Sequence, residues 1–505
     1  MHVAHAIVRA ASRLISTPWS LRAPRPRIYT SDDAACTIVS AISNAVATIL
    51  LLIPCFWQSR LQAGDLASHI YNAWLAQLVG SGQAKGLVIV PQTTNVLFDW
   101  LLSGLIRTAG AEAAQRISMA LLVLTFVWGA WRWIRVAAGV SATYLLPILA
   151  VLAYGWVYHS GFCNFYLGLG LCFWALSLAW DGSPRRRAMA IPVFALAWLA
   201  HNLAVLWAVA VLAYNLLARR IRPERRFWLL VGWTAVLAVA HVAVRTTMHS
   251  QWYPRQILLG SGADQAWVFD DKYYLTAGVL AAGLAILLVD AFLEAGARKV
   301  LQSIPFQVWV MNVALIAIVP TAIIGYGLQA AYISDRMSLA AGVCLCAAVA
   351  PARPQAWHRY VLAAVALLFF GFLYRDERLL NAFEDQLAGA VARIPAGQRV
   401  VSAIDDPYLH VNALTHMIDR VCIGHCYSYA NYEAPTGQFR LRVTGPNAFV
   451  AGNYYDSWAL QNGLYVVREQ DLPLYQVTLD ENRQIVVRSL SAGQSGGTEY
   501  WKALP

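Results

Sequence analysis

Hydrophobic residues in this chain come in long blocks rather than in short alternation. Apolar runs cover roughly 36–56, 115–133, 139–157, 161–180, 187–201, 203–218, 227–247, 274–293, 305–326, 335–351 and 356–374. A run of about 18–22 residues matches the length at which an α-helix crosses a hydrocarbon layer roughly 30 Å thick. The pattern predicts a mainly α, polytopic membrane protein of about 11 transmembrane helices. The stretch 187–218 is interrupted by "AHN" (200–202) and also reads as one bent hairpin. The first run has the length of a full span and no clear small-residue cleavage site, so it reads as a retained anchor. Before it, Val3, Ile7, Val8, Leu14 and Ile15 set against Arg9 and Arg13 fit either a short amphipathic surface helix or a basic tail.

Two shorter patterns follow the first run. In 65–80, helical spacing puts Asp65, Ser68, His69 and Asn72 on one face and Leu66, Ile70 and Trp74 on another. Asp65 precedes an apolar stretch and so also fits a helix N-cap. In "TNVLFDWLLSGLIRTAG" (94–110), Thr94 or Asn95 marks a start and Gly110 a stop. Both pieces are too short or too polar to cross, and are expected to be helices lying along the outer membrane surface, the first with its greasy side on lipid or on the spans. After residue 375 the pattern changes again. A helical stretch leads into "RVVSAI" (399–404), and strands are expected at 464–469, 475–480 and 483–490, the last two joined by a turn at "DEN". The expected organisation is a basic N-terminus (1–35), a transmembrane domain (36–375, first outer loop 57–114) and a small C-terminal α/β domain (376–505).

Positive charge sets the orientation of such a chain. With the N-terminus inside, the inner loops collect Arg22, Arg25, Arg27, Arg132, Arg135, "PRRR" (184–187), "ARRIRPERR" (218–226), Arg298, Lys299, Arg353 and Arg359. The outer loops keep few basic residues, among them Lys85, Arg107, Arg255 and Lys272. The first long loop and the C-terminal domain are then extracytoplasmic. From Arg375 onward the chain has 11 Lys+Arg against 14 Asp+Glu, whereas the part before it has 27 against 13. The basic balance therefore belongs to loops beside an anionic leaflet. No nucleic-acid partner is expected, since zinc-finger spacing and RNA-binding signatures are missing. Overall the chain is 59% hydrophobic and 13% charged, against roughly 25% charged in an ordinary soluble domain.

Six cysteines lie in or beside the apolar runs, where they act as small apolar residues. Cys422 and Cys426 stand in the outer part; in an oxidising space they are a disulfide candidate, with two free thiols or a metal site using His416 and His425 as alternatives. On the outer side, span ends hold His159, Asn164, His201, Asn202, Asp270, Asp271, Asp335 and Arg336. Polar groups at that depth are costly unless they face a cavity or one another, so their gathering predicts a polar cavity opening outward. Ordinary interfacial polarity is the competing explanation for each of them.

The layout of 36–375 resembles the membrane-integral glycosyltransferases of the GT-C class. It rests on "GDLASHIYNAW" (64–74), which looks like the acidic motif after the first span, and on "ISDRMSLAAGVCLC" (333–346), which looks like the outer start of a late span with an Arg. The resemblance implies a polyprenyl-phosphate-linked sugar donor, with Asp65 at the acidic position and Arg336 on the donor phosphate. His69, Asn72, His159, Asn164, His201, Asn202, Asp270 and Asp271 are the other candidate substrate-binding residues. The chain departs from better-defined subfamilies in lacking a DxD motif in the first loop and an aromatic directly after Arg336. Metal dependence (a divalent cation) and donor identity stay open.

The chemistry of such a site is coherent. An acceptor hydroxyl attacking an anomeric carbon must lose a proton, which a carboxylate can take. The leaving phosphate needs positive charge, which an Arg supplies bidentately. One base suits direct displacement with inversion, and a second carboxylate about 5 Å away would suit retention; only one is evident in the sequence. The expected function is glycosyl transfer to a glycan, lipid or protein acceptor at the outer face of a bacterial-type inner membrane. A transporter or lipid flippase is the alternative from another class, although no internal repeat or paired broken helices support it. A non-catalytic assembly subunit of the same fold is the third.

Overall fold

The computed structural model describes residues 31–325, 328–495 and 499–500. The surface segment expected at 3–15 lies outside the described residues. The chain divides into two compact units, Met1–Trp57 and Gln58–Pro505. In the first, a helix runs Ser31–Leu52 and ends in a tight turn, Ile53–Cys55, that begins with Pro54. Ile42, Val46, Ile49 and Leu50 stand bare on its surface, as on a helix whose partner is lipid.

In the second unit, helices form where the apolar runs lie. They are α1 (Leu66–Gly80), α2 (Leu97–Ala138), α3 (Leu146–Ala153), α4 (Trp156–His159), α5 (Cys163–Ala179), α6 (Pro184–Ala200), α7 (Asn202–Ala218), α8 (Arg226–Thr247), α9 (Tyr273–Ala295), α10 (Ile304–Ile318), α11 (Ile333–Val349) and α12 (Ala356–Val391). The protein is mainly helical. Among the described residues, four helices are long and apolar enough to cross a membrane: Leu97–Ala138, Pro223–Thr247, Tyr273–Ala295 and Ala356–Val391. The segment Pro223–Thr247 leaves Phe227, Trp228, Val236, Val239 and Val242 uncovered, an apolar surface that water would not tolerate. The other apolar helices are shorter. A break at Gly155, whose Cβ would come 2.7 Å from that of Gln265, separates α3 from α4.

Several expectations change here. Helix α2 starts at Leu97, not at Thr94 or Asn95; Asn95 is left-handed (φ 54°). Gly110 (φ 79°, ψ 166°) kinks α2 instead of ending it, because glycine alone enters that region without a steric penalty. The span expected at 356–374 and the helical stretch expected after 375 form one continuous helix, α12, to Val391. The segment 464–469 is not a ladder strand. Val466 makes a single bridge to Ser495, and buried Asp471 takes the Arg468 N–H that a ladder would use.

Beyond α12, the strands β1 (Arg399–Ser402), β2 (Tyr427–Ser428), β3 (Leu474–Leu479) and β4 (Ile485–Leu490) form a sheet in the order β4-β3-β1-β2. The β3–β4 pair is the expected hairpin, in register Leu479↔Ile485. Strand β1 runs parallel to both its neighbours. Val401, Leu460, Val467 and Leu474 form the apolar core of this sheet. The sheet region is tied to the helices. Arg420 binds Glu384 through both carboxylate oxygens (2.8 and 2.5 Å), and Leu61 O and Gln115 Oε1 at 2.9 Å. Residues 87–89 pair antiparallel with 441–443. These bonds bring the C-terminal region onto the first long loop.

Candidate active site

The site grows from the N-terminus of α1. The backbone of 159–160 holds the preceding turn: Gly64 N–H donates to His159 O at 2.7 Å and Asp65 N–H to Ser160 O at 3.1 Å. This contact needs Gly161. Its φ is +79°, and a Cβ there would stand 2.6 Å from Asp65 N.

Asp65 occupies the N-cap position of α1, yet its carboxylate makes no capping hydrogen bond. The capping role expected as an alternative is not taken. The Tyr432 side chain instead approaches the carboxylate, which lies 3.7 Å from His416 Nε2. It is 27% exposed, whereas His416 beside it is 9% exposed. On the other ring nitrogen, His416 Nδ1 meets Asp419 Oδ2 at 3.0 Å.

One turn along α1, His69 Nδ1 is 3.3 Å from Asp99 Oδ1 and 3.3 Å from Glu433 Oε1. All three side chains are under one-tenth exposed. Burial opposes charge on His69, but Glu433 and Asp99 outweigh it and hold its pKa at about 9. Burial raises Glu433; His69 opposes this while Asp99 and Asp65 add to it. His69 is therefore a cation at neutral pH between two acids.

Ser68 and Asn72 complete the polar stripe. Asn72 Nδ2 donates to Ser68 O (2.9 Å) and Asn431 Oδ1 (3.0 Å), and Asn431 Nδ2 donates to Ser68 Oγ and Asp419 Oδ2, both at 2.9 Å. Both faces of α1 are buried: Leu66 and Ile70 are fully covered, as is Ser68. Of the two supports expected for its greasy side, lipid or neighbouring helices, the structure shows protein packed on both sides of this helix.

Asn164 positions Asp99. Its Oδ1 accepts from Phe98 N–H at 2.9 Å and its Nδ2 donates to Asp99 Oδ2 at 3.0 Å. One side chain thus caps an otherwise uncapped helix start and orients the acid beside it. Arg440 binds the same turn through Asp99 O (3.2 Å) and Ser103 Oγ (2.5 Å).

Arg336 lies in the first turn of α11. Asp335, beside it in sequence, accepts from Thr321 Oγ1 (3.0 Å) and Ser334 Oγ (3.1 Å). The guanidinium carbon sits 3.9 Å from the centroid of the Phe162 ring and 5.9 Å from that of Phe165. Its Nε is buried with no hydrogen-bond partner. No ion pair closes on Arg336 among the described residues, and Asp65 exerts the largest charge interaction on it. The preceding Tyr332 is left-handed (φ 55°), a backbone state that costs a non-glycine residue about 1 kcal/mol or more.

Other sequence candidates stand elsewhere or act through backbone. His159 points to Gln62 O (3.0 Å) and serves the site with its carbonyl. His201 accepts from Leu203 N–H at the start of α7 and lies against Phe165, within the field of Arg336. Asn202 contributes its backbone N–H to Thr94 Oγ1. Asp270 pairs with Lys272 (2.8 Å), which also pairs with Asp376 (2.6 Å). Asp271 is exposed. Neither acid is gathered around Asp65. Cys422 and Cys426 form a disulfide.

Sequence reasoning missed Asp99 and Asp419; it named His416 only as a possible metal ligand, took the stretch "SYANYEAPTGQFRLRV" that holds Tyr432 and Glu433 as either a binding surface or a packed loop, and found one carboxylate where several converge. Asp99 carried a signal: it is the sole acid in the apolar stretch "NVLFDWLLSGLI". The others sit in an irregular C-terminal region where spacing has no period to read.

No group of three or more His, Cys, Asp and Glu side chains is placed to hold a metal ion among the described residues, and no step is routed through one. Comparison with family models, with curated proteins and with solved structures gives no match.

Proposed function

We propose that the protein is a membrane glycosyltransferase that moves a sugar from a polyprenyl-phosphate donor to an acceptor hydroxyl at the outer face of a bacterial-type inner membrane. One observation carries this reading. A partly exposed carboxylate, Asp65, released from capping, shares a site with Arg336, a cation with no ion-pair partner among the described residues. A base beside an unsatisfied guanidinium is what proton removal and phosphate departure together require.

In this reading Asp65 takes the acceptor proton and Arg336 binds the phosphate that leaves. Phe162 holds the guanidinium plane while leaving its N–H edge free for oxygen. His69, Asn72 and Asn164 keep the carboxylates in place. The eleven apolar runs are all membrane segments, the shorter helices among them packed against the long ones. The N-terminus is cytoplasmic, and residues 376–505 form an extracytoplasmic α/β domain that closes over the first outer loop. The acceptor is a glycan, lipid or protein.

The test uses the purified full chain in lipid nanodiscs with polyprenyl-phosphate esters of a hexose, an N-acetylhexosamine and a pentose. Released polyprenyl phosphate is measured for wild type, Asp65→Asn and Arg336→Ala. Release by wild type, with at least a 100-fold loss in both variants, is expected. Equal turnover in Asp65→Asn removes Asp65 as the base.

A further inference from the structure

We propose that His416, oriented by Asp419, relays the proton that Asp65 takes from the acceptor hydroxyl; this rests on the glycosyltransferase reading above.

The geometry is that of a directed imidazole. Asp419 Oδ2 lies 3.0 Å from His416 Nδ1. A carboxylate there fixes the tautomer with hydrogen on Nδ1, so the Nε2 lone pair is free. Nε2 is the atom that faces Asp65 Oδ1, at 3.7 Å. Asp419 is itself held, accepting from Ser428 Oγ on one oxygen and Asn431 Nδ2 on the other. The 3.7 Å gap is longer than a hydrogen bond; such distances tighten when substrate enters a site.

The charges facing His416 favour the transfer. Asp65 comes from the start of α1, Asp419 from the short helix Met417–Cys422, and Tyr432 and Glu433 from the loop that follows β2. Arg420 turns away to Glu384. Burial opposes charge on His416, but Asp419, Asp65 and Glu433 outweigh it and raise its pKa. Asp419 beside Nδ1 stabilises the imidazolium that forms when Nε2 takes the proton.

The step balances. The acceptor O–H bond breaks and its proton goes to Asp65. The acceptor oxygen bonds the anomeric carbon while the bond from that carbon to the phosphate oxygen breaks, and polyprenyl phosphate leaves with the electron pair. The proton then passes from Asp65 to Nε2 of neutral His416, giving an imidazolium paired with Asp419, and on to water. Asp65 is thereby restored for the next cycle. His416 acts through Asp65 and is a positioning and relay residue rather than one that touches substrate.

The experiment compares wild type, His416→Gln, Asp419→Asn and Asp65→Asn in nanodiscs, with whichever of the three polyprenyl-phosphate esters wild type consumes. Turnover is followed from pH 5 to pH 9, and thermal unfolding confirms that each variant is folded. His416→Gln is expected to lower kcat about 10–100-fold, with donor KM changed less than about twofold. Asp419→Asn is expected to move the acidic limb of kcat down by about one pH unit, since it removes the charge that makes His416 basic. A limb that stays in place in Asp419→Asn overturns the relay, whatever happens to kcat, and marks a structural role. An unchanged kcat in His416→Gln also overturns it while leaving Asp65 as base. Equal turnover in Asp65→Asn, or no release by wild type from any ester, overturns the underlying reading and the relay with it.

Discussion

Asp99 and Glu433 meet across one imidazole, each placing a carboxylate oxygen 3.3 Å from His69 Nδ1. One acid comes from the first long loop and the other from the C-terminal region, so this contact joins the two segments at the floor of the site. Removing the shared cation leaves two buried acids with only the neutral donors Asn164 and Ser68. Breaking a buried ion pair on one side costs about 3–5 kcal/mol. His69→Leu is expected to lower the unfolding temperature of the nanodisc-embedded protein markedly, and Glu433→Gln in the same background to recover part of the loss. Equal unfolding temperatures for wild type and His69→Leu would contradict the pairing.

The same histidine sets a pH dependence of stability. Its folded pKa, about 9, lies above the ordinary value of 6.5. The stabilisation is therefore fully present below about 6.5 and is lost as pH rises through 9. Unfolding temperature measured from pH 6 to pH 10 is expected to fall across that window in wild type and to fall less in His69→Gln. Parallel curves for the two proteins would show that His69 is not the titrating group.

Arg336 gives a prediction about shape as well as charge. Its guanidinium stacks on Phe162 and has an unpaired Nε. Lysine keeps the charge but loses the planar fork. Arg336→Lys is expected to raise donor KM about 10-fold or more and to leave the fold unchanged, as judged by unfolding temperature. A KM equal to that of wild type would place the donor phosphate elsewhere.

Gly161→Ala tests how Asp65 is held. The new Cβ would come 2.6 Å from Asp65 N in a left-handed backbone. Strain of this kind costs about 1–3 kcal/mol, and displacement of the turn moves the carboxylate. Lower stability together with a fall in kcat is expected; a fully active Gly161→Ala protein would show that the turn is not needed.

Asn164→Ala removes both the bond to Phe98 N–H and the bond to Asp99. Loss of a helix cap costs about 1 kcal/mol, and the freed Asp99 weakens the hold on His69. A drop of a few degrees in unfolding temperature is expected, smaller than that of His69→Leu. A larger drop than His69→Leu would reverse the assigned order of importance.

Some of this could be read from the chain and some could not. Helices appear under the apolar runs because backbone groups in a long apolar stretch can be satisfied only within the stretch itself, and the run lengths mark that locally. The polar stripe Asp65, Ser68, His69 and Asn72 was legible for the same local reason: helical spacing places those side chains on one face. The glycine at 110 announced a break, and its φ of 79° makes that break a kink within α2. The hairpin at 474–490 followed from two β-rich runs and the turn between them.

The partners of the stripe were not legible. Asp99 reaches α1 from α2, held by Asn164, and His416, Asp419, Tyr432 and Glu433 belong to a region tied down where residues 441–443 pair with 87–89 and Arg420 binds Glu384 across the molecule. Nothing in local periodicity encodes those long-range contacts. Asp65 illustrates the division. Its position before an apolar helix could be read from the sequence, and allowed capping, catalysis or both. The structure shows that the carboxylate makes no capping bond, while Tyr432 and His416 approach it from the distant C-terminal region. The sequence by itself determined where helices form and which face is polar, because those depend on neighbours along the chain. The tertiary structure decided what that polar face meets, because burial and charge pairing depend on neighbours in space.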